Sequence, residues 1–229
     1  MIAGNKTTGN SSINYCVQES PNVKQRCYAF VKRAFDIVAS AAALIVLSPI
    51  MLIAAILVYV DDPGKVFYGH VRIGKNGKQF MMWKFRSMYM NADKMIDLLT
   101  PEQTKQYYTE FKIDNDPRIT KIGNFLRKTS LDELPQLFNV LCNDMSLVGP
   151  RPLIESEIQT YYKDTHDVLL AVKPGITGYW QAYARNNATY QSGERQKMEM
   201  YYVRNASLWL DIKILFKTVE SVLSKQGAK

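Results

Sequence analysis

One uninterrupted run of apolar residues dominates the hydrophobic pattern of the chain. It extends from Ile37 to Val60 and contains no charged residue. As a straight α-helix it would be roughly 36 Å long, which is enough to cross the hydrocarbon core of a bilayer. A buried core helix is the alternative, but helices of soluble proteins rarely stay uncharged over this length. The pattern therefore predicts a helix in contact with a membrane.

Two features of this run argue against a plain crossing. Pro49 follows Ser48 in its middle. A proline there removes a helical hydrogen bond and clashes with the carbonyl of Ile45, which the Ser48 hydroxyl can partly satisfy. Basic residues flank both ends, whereas a spanning helix normally carries them on its cytoplasmic side only. We therefore favour a helix that is broken at Ser48-Pro49, enters one leaflet and returns, over a kinked span. The basic flanks are Lys24, Arg26, Lys32 and Arg33 before the run and Lys65, Arg72, Lys75 and Lys78 after it.

The pattern after the apolar run predicts a small mixed domain. Two β-prone runs within Val66–Met88 flank the turn residues Gly74–Gly77 and predict a β-hairpin whose second strand carries Lys84. Apolar residues recur at helical spacing over Ser207–Leu223, which predicts an amphipathic helix on the core or at the membrane interface. The expected fold class is α+β and mostly helical. It combines a re-entrant membrane helix hairpin with a cytoplasmic helical domain that holds a small β-hairpin and interfacial amphipathic helices.

The same pattern divides the chain into three parts. Residues 1–20 are polar and predict a flexible tail, residues 21–60 the membrane-inserted part, and residues 61–229 a domain on the cytosolic face. The net charge of +8 favours anionic partners such as phosphates, nucleic acid or an anionic membrane surface. The three cysteines are scattered and the two histidines lie far apart, so a disulfide framework and a zinc site both have little support.

Two adjacent carboxylates, Asp132 and Glu133, lie in the stretch "KTSLDELPQLFNVL". Taken alone, Ser130 to Glu133 matches a capping box, in which the Ser130 and Glu133 side chains satisfy free backbone donors. Either Ser130 or Asp132 can be the cap, and Pro135 is better tolerated in the second register, where it falls in the first turn. A catalytic role is the alternative, because carboxylates at a helix start can meet a phosphate when a divalent ion and arginines screen their charge.

Several segments, in order, resemble the bacterial sugar transferases, and more specifically the monotopic polyprenyl-phosphate phosphoglycosyl transferases. The resemblance extends from about Tyr28 to Leu223, and its central segment is the most specific. The resembling segments are "KRAFDIVASAAALIVLSP", "WKFRSM", "DPRITKIGNFLRKTSLDELPQLFNVLCNDMSLVGPRPL", "KPGITGYWQAYARN" and "YYVRNASLWLDIKIL".

The resemblance implies a reaction and a set of site residues. Such enzymes transfer a sugar-1-phosphate from a UDP-sugar to undecaprenyl phosphate, release UMP, and so start an O-antigen, capsule, exopolysaccharide or glycoprotein glycan. The family's catalytic pair falls on Asp132 and Glu133, which implies that Asp132 attacks the β-phosphorus to give a covalent phosphosugar-aspartyl intermediate. Magnesium (Mg2+) is expected at Asp132 and Glu133, with Glu133 assisting the metal or the leaving group. The implied substrate-phosphate-binding residues are Lys84, Arg127, Arg151 and Arg185.

The resemblance also implies a location and partners. The family's helix-breaking Ser-Pro pair falls on Ser48 and Pro49, which implies a monotopic protein on the cytoplasmic face of the bacterial inner membrane. Expected partners are the UDP-sugar, undecaprenyl phosphate, membrane lipids and downstream glycosyltransferases, and no nucleic acid. The chain has no long multi-spanning N-terminal region, so we expect the minimal catalytic form.

One departure and two alternatives complete the sequence interpretation. Similar sequences usually have glycine where Ala184 precedes Arg185, so we expect the loop around Arg185 to differ, because alanine disfavours a positive φ. The basic charge alone would also suit a non-catalytic membrane-bound scaffold that binds anionic lipids, or a membrane-tethered nucleic-acid binder. Neither alternative explains the Asp132-Glu133 pair beside proline and arginine.

Overall fold

A computed structural model describes residues 23–104, 113, 115–184 and 188–223 of the chain. Its longest helix, α1, runs from Val23 to Asp61 and contains the whole apolar run. By length and composition, Arg26–Asp61 is able to span a membrane, and only 11% of its most apolar stretch is buried by the protein. The predicted tail, residues 1–20, lies outside the described residues.

Helix α1 continues through Ser48 and Pro49. Pro49 lies inside the helix, and the Ser48 hydroxyl donates a 2.8 Å hydrogen bond to the carbonyl oxygen of Ile45. This is the carbonyl that the proline deprives of its usual donor, so the predicted compensation by Ser48 is confirmed. The expected break is not an interruption of the helix, because the residues on both sides of it are helical. The re-entrant path through a membrane stays a prediction.

One face of α1 is docked on the rest of the chain at both ends of the helix. In the first half, Lys32 Nζ lies 2.7 Å from a carboxylate oxygen of Asp211, and Asp36 accepts a 3.0 Å hydrogen bond from the backbone N–H of Leu147. At the other end, Asp61 accepts a 3.0 Å hydrogen bond from the N–H of Ile122. The opposite face is apolar and exposed, and includes Phe30, Val38, Ile45, Val46, Leu52, Ile53 and Val60.

The predicted β-hairpin is confirmed. Strand β1 (Phe67–Ile73) pairs antiparallel with β2 (Gln79–Phe85), and a 3₁₀ turn at Lys75–Gly77 joins them. Tyr68 lies opposite Lys84, and Arg72 lies opposite Phe80. Because side chains alternate between the two faces of a strand, Arg72 and Lys84 belong to the same face of the hairpin.

The other described residues form helices, loops and one further strand pair, which the sequence interpretation missed. Strand β3 (Ser146–Val148) pairs in parallel with β4 (Gly175–Thr177). The α+β, mostly helical class is confirmed, and so is the C-terminal amphipathic helix. The helices after α1 are α2 Lys121–Thr129, α3 Gln136–Leu141, α4 Glu155–Tyr161, α5 His166–Leu169, α6 Tyr179–Tyr183, α7 Glu194–Asn205 and α8 Leu208–Leu223, with 3₁₀ segments at Ala92–Leu98 and Leu131–Glu133.

Two apolar clusters fix the hairpin against its neighbours. Phe80 and Met82 of β2 are buried with Val140 of α3 and Met145. Phe85, at the end of β2, is buried with residues of α1 and α2. Burying large apolar side chains contributes about 1.5–3 kcal/mol each, so these contacts hold β2 firmly. They bring Lys84, which lies between Met82 and Phe85 in the strand, next to the segment that joins α2 to α3.

Candidate active site

The two predicted carboxylates lie in a tight turn between helices. Helix α2 ends at Ser130, whose φ of 58° is left-handed, and the 3₁₀ turn Leu131–Glu133 follows. Pro135 occupies the N-cap position of α3, where its missing N–H leaves no helical hydrogen bond unmade. The sequence therefore bends the chain sharply here and places Asp132 and Glu133 on a short, well-defined segment.

The capping-box interpretation of Ser130 and Glu133 is wrong. The Ser130 side chain makes no capping hydrogen bond, and the Glu133 side chain accepts a hydrogen bond from Lys84 instead. The physical reason is the left-handed backbone that ends α2 at Ser130, since an N-cap normally needs an extended backbone to direct its side chain at the next turn. The Glu133 side chain is thereby available for a tertiary contact.

A single ammonium group contacts both carboxylates. Lys84 Nζ lies 2.6 Å from Glu133 Oε1 and 3.8 Å from Asp132 Oδ2. The Lys84 side chain is 26% exposed, whereas the Asp132 side chain is 10% exposed. The hairpin thus supplies a partly buried cation to a buried acid and its neighbour, and one lysine charge faces two carboxylates.

The surroundings of Asp132 change its proton affinity. Burial, and secondarily the negative charge of Glu133, raise the pKa of Asp132 to about 6, while the positive charges of Lys84 and Arg127 act in the opposite direction. Burial raises a carboxyl pKa because the charged form loses its hydration. Asp132 is then mostly ionised at neutral pH and is more basic than a solvated aspartate.

Arg127, in the last turn of α2, is anchored rather than solvated. Its Nε donates a 2.8 Å hydrogen bond to the Ser87 hydroxyl. Burial lowers the pKa of Arg127, and the charges of Asp132 and Asp116 partly offset that shift. The guanidinium group therefore contributes positive charge beside Asp132 from the side of α2.

A cleft of about 290 Å³ adjoins this cluster. Lys84, Glu133 and Arg151 line it, so the structure brings three of the predicted site residues together. Asp132 and Arg127 are not among the described residues that line the cleft. Asp132 nevertheless lies within 3.8 Å of Nζ of the cleft residue Lys84. The lining residues are Ala43, Leu47, Arg72, Met82, Lys84, Ser130, Glu133, Leu134, Gln136, Leu137, Arg151, Pro152, Gly175, Ile176, Thr177, Gln181, Thr218 and Ser221.

Two predicted positions lie elsewhere. Arg185 is outside the described residues. Ser48 and Pro49 are exposed on α1, directly after Leu47, which lines the cleft. Helix α1 therefore forms part of the cleft wall.

Arg72 is a cleft residue that the sequence interpretation did not select for the site. Its Nη1 donates a 3.3 Å hydrogen bond to Glu157 Oε2, and its Nη2 lies 3.2 Å from His70 Nδ1. A signal was available, because alternation along the predicted hairpin puts Arg72 on the same face as Lys84. The sequence interpretation used Arg72 only as a basic flank of the apolar run.

The donor set at the carboxylates suits a hard divalent cation. Asp132 and Glu133 each direct an oxygen to within 4 Å of the same Lys84 Nζ. In the described part of the chain, no group of three or more His, Cys, Asp or Glu side chains forms a protein-only metal cage. Magnesium is commonly bound through one or two carboxylates together with substrate phosphates. The pair therefore fits magnesium that is completed by substrate oxygens.

Comparison with known proteins matches this architecture to one family. The model of the family described as bacterial sugar transferase covers residues 27–225, which include most of α1, the hairpin and the whole cleft. The chain belongs to the bacterial sugar transferase family.

Curated relatives of this bacterial sugar transferase carry names that specify a reaction. This chain is 49% identical over 210 residues to the undecaprenyl-phosphate galactose phosphotransferase of Salmonella typhimurium. The matched residues make up 90% of this chain and 43% of that relative. The chain is also 41% identical over 195 residues to the UDP-glucose:undecaprenyl-phosphate glucose-1-phosphate transferase of Escherichia coli. Here the matched residues make up 82% of the chain and 39% of the relative. The chain thus spans less than half the length of these two proteins.

A further relative matches the transferase over nearly its whole length. The exopolysaccharide production protein ExoY of Rhizobium meliloti is 39% identical over 225 residues, which cover 96% of this chain and 98% of the relative. The chain is therefore similar both to relatives that are about twice as long and to one of nearly its own length.

Proposed function

We propose that this transferase moves a sugar-1-phosphate from a UDP-sugar to undecaprenyl phosphate, releases UMP, and so starts a membrane-linked glycan such as O-antigen, capsule, exopolysaccharide or a glycoprotein glycan. One observation supports the proposal above the others. The carboxylates held by Lys84 adjoin a cleft whose wall includes Ala43 and Leu47 of the membrane helix α1. Such a cleft can admit a soluble nucleotide sugar and a lipid phosphate in turn.

The proposed chemistry has two displacement steps at one phosphorus. A carboxylate oxygen of Asp132 bonds to the β-phosphorus of the donor, the bond from that phosphorus to the UMP oxygen breaks, and UMP leaves. An oxygen of undecaprenyl phosphate then bonds to the same phosphorus, the bond to Asp132 breaks, and the carboxylate is regenerated. Covalent catalysis of this kind divides one transfer between a soluble donor and a buried acceptor into two steps at one site.

The basic residues stabilise the charge that both steps carry. Lys84 contacts both carboxylates and lines the cleft together with Arg151, so each can donate to phosphate oxygens there. Arg127 adds charge from behind Asp132, and Arg185 is proposed as a fourth phosphate ligand. Asp132 and Glu133 would hold magnesium, which supplies charge neutralisation on the phosphate oxygens when bound.

The proposed topology is monotopic, with the domain on the cytoplasmic face of the inner membrane. Both ends of α1 contact the same domain, through Lys32 and Asp36 at one end and Asp61 at the other. A helix that passed straight through a bilayer would place its two ends on opposite sides, and only one of them could reach a domain of this size. The exposed apolar face of α1 would then enter one leaflet, with the continuous helix bending at Ser48-Pro49 so that both of its ends stay on the same side.

A single-turnover experiment tests the covalent step. With a UDP-sugar panel, magnesium and no acceptor, the wild type should release UMP up to the enzyme concentration and gain the mass of one phosphosugar. Asp132→Asn should lose both signals, whereas Asp144→Asn, at a surface ion pair with Lys78, should keep them. UMP release by Asp132→Asn at the wild-type level would contradict the mechanism, and a non-catalytic lipid-binding scaffold would release no UMP in any variant.

Cysteine labelling tests the topology. Cys27 is exposed near the start of α1, and Lys65→Cys places a second thiol just after its end. With Cys16 and Cys142 replaced by serine, both thiols should react only from the cytoplasmic side of membrane vesicles. Protection of one thiol from cytoplasmic reagent, together with its labelling from the periplasm, would establish a crossing helix instead.

A further inference from the structure

We infer that Arg72 binds a substrate phosphate together with Arg151, in a second phosphate subsite at the other end of the cleft from the carboxylates. The ligand class is a phosphomonoester or diphosphate. The inference deepens the proposed function and rests on it for the choice of substrates. It assigns a binding role to Arg72, which reaches the cleft from β1.

The hydrogen bonding of Arg72 leaves part of its guanidinium unused. Its side chain is 11% exposed, and its two terminal nitrogens contact Glu157 at 3.3 Å and His70 at 3.2 Å. Its Nε is buried and has no hydrogen-bond partner among the described residues. Buried N–H groups are nearly always paired in folded proteins, so an orphan beside a cleft indicates a missing acceptor.

Arg151 has a similar orphan in the same cleft. Its Nε is buried without a hydrogen-bond partner in the described part of the chain, while its backbone N–H lies 3.3 Å from both carboxylate oxygens of Glu199. Burial, and then the charge of Arg151, lower the pKa of Arg72 to about 10. Both side chains line the same cleft, so their like charges repel each other, which a bound anion would relieve.

A third arginine adds to the positive charge behind them. Arg195 lies between two rings, with its guanidinium carbon 4.0 Å from the centre of Trp180 and 3.9 Å from that of Tyr190. Its Nε and Nη2 are buried without a hydrogen-bond partner among the described residues. The stacking holds the charge in place but supplies no hydrogen-bond acceptor. An aromatic face attracts the cation, whereas the N–H groups of a stacked guanidinium lie in its own plane and do not point at the ring.

The carboxylates of this region do not balance three guanidinium charges. Glu157 and Glu199 are the buried acids here, and burial raises the pKa of Glu199 to about 7. Glu199 is therefore only partly ionised at neutral pH, and a positive surplus remains. A phosphate offers several acceptor oxygens in the fork geometry that arginine matches, and would satisfy both the charge and the orphan N–H groups.

The position of the subsite is compatible with two sources of the phosphate, the UDP-sugar and undecaprenyl phosphate. Arg72 and Lys84 share one face of the hairpin, so a ligand whose reacting phosphorus lies at the carboxylates can extend to Arg72. The diphosphate of the UDP-sugar and the phosphate of undecaprenyl phosphate both have this chemistry. The residues Ala43 and Leu47 of α1 border the same cleft, which leaves both sources to be separated by experiment.

The test uses binding, which does not depend on turnover. Two variants probe the site. Arg72→Lys keeps the positive charge but loses the forked donor geometry of the guanidinium group. The double variant Arg72→Gln with Glu157→Gln removes both members of the buried ion pair, so that no acid is left uncompensated. Lys78→Gln is the matched control, because it removes one positive charge from an 80% exposed side chain at the hairpin turn. Unfolding temperatures report whether each variant is folded.

Two binding arms distinguish the sources. UDP is titrated by calorimetry, and undecaprenyl phosphate is measured in lipid nanodiscs that contain it or lack it. We expect at least one ligand to bind about 10-fold more weakly to both Arg72 variants and unchanged to Lys78→Gln, since hydrogen bonds to charged groups have this magnitude. A loss for UDP assigns the subsite to the donor, and a loss for the lipid assigns it to the acceptor.

One outcome overturns the inference. If both variants fold and bind both ligands within about twofold of wild type, which is less than one such hydrogen bond is worth, then Arg72 is a structural charge only. A failure of the proposed function looks different. In that case no variant, wild type included, releases UMP from any UDP-sugar, while the binding arms still report on Arg72.

Discussion

The two ends of the cleft differ in how they balance charge. At the carboxylate end, Lys84 contacts both Asp132 and Glu133, and Arg127 adds positive charge beside Asp132, so two cations face two acids. At the guanidinium end, defined by Arg72, Arg151 and Arg195, positive charge exceeds that of the nearby acids. The guanidinium end therefore carries the uncompensated charge, which a bound phosphate would complement.

A third charged group shows what a structural pair looks like in the same molecule. Asp116 and Arg118 are both buried and joined through two side-chain hydrogen bonds of 2.9 and 2.7 Å. This pair matches one charge with one charge in the forked geometry. Burial is therefore common to all three places, and the surplus of positive charge is what separates the guanidinium end from the other two.

Removing the shared cation should have the largest effect on this comparison. Lys84→Gln leaves two adjacent carboxylates without the ammonium group that contacts both, and it removes a donor from the cleft. We expect UMP release to fall about 100- to 1,000-fold, the range seen when one charge-stabilising donor is lost. Steady-state UMP release at saturating UDP-sugar and acceptor measures it, with Lys78→Gln as the control on the same hairpin. Activity within threefold of wild type would show that the carboxylate end does not depend on Lys84.

The carboxylate end was predicted from the sequence, whereas at the guanidinium end only Arg151 was predicted as a site residue. Asp132 and Glu133 are neighbours in the chain, and the motif around them carries its own signal. Arg72 and Arg151 come together only through tertiary packing. The resemblance singled out Arg151 but gave no reason to pair it with a strand residue that had already been interpreted as a membrane flank. Local patterns report local chemistry, whereas this subsite is assembled from β1, the segment after β3, and α7.

Tertiary contacts also explain the two structural points that the sequence interpretation missed. The Ser130–Glu133 pattern predicts a capping box, but Lys84 from the hairpin takes the Glu133 carboxylate, and Ser130 ends α2 in a left-handed conformation. The pairing of Ser146–Val148 with Gly175–Thr177 is parallel and long-range, and strands this short carry no alternation that a pattern can show. By contrast, the hairpin and the apolar run have strong local signals, and both were predicted.

The second prediction concerns the backbone that supports the carboxylate end. A Cβ at Gly123 would lie 2.0 Å from the carbonyl oxygen of Ser87, the residue whose hydroxyl holds Arg127. Gly123→Ala must therefore push two backbone segments apart. We expect a loss of about 1–3 kcal/mol in the free energy of unfolding, as for other overpacked sites, and a fall in UMP release of about 10-fold as Arg127 moves away from Asp132. Chemical unfolding in detergent and the activity assay measure the two effects.

The matched control for this variant is Asn124→Ala, at an exposed position of the same helix. It should leave both measurements close to wild type. If Gly123→Ala lost stability but kept full activity, the position of Arg127 would not matter at the carboxylate end, and the two ends of the cleft would differ less than their contacts indicate.

The smallest expected effect tests the guanidinium end through Glu199. Burial raises the pKa of Glu199 from 4.5 to about 7, so between these values the folded protein binds more protons than the unfolded chain. The stability that the protonated form contributes is present below about pH 4.5 and is lost as the pH rises toward 7. Glu199→Gln mimics the protonated form, so its stability relative to wild type should increase between pH 5 and pH 8, by on the order of 1–2 kcal/mol. Thermal unfolding in detergent at both pH values measures this, and Glu194→Gln, at a 54% exposed side chain, should show no such change. A difference that stays flat with pH would mean that Glu199 is ionised throughout and offsets more of the charge of Arg151 and Arg195, which would reduce the positive surplus that distinguishes this end of the cleft.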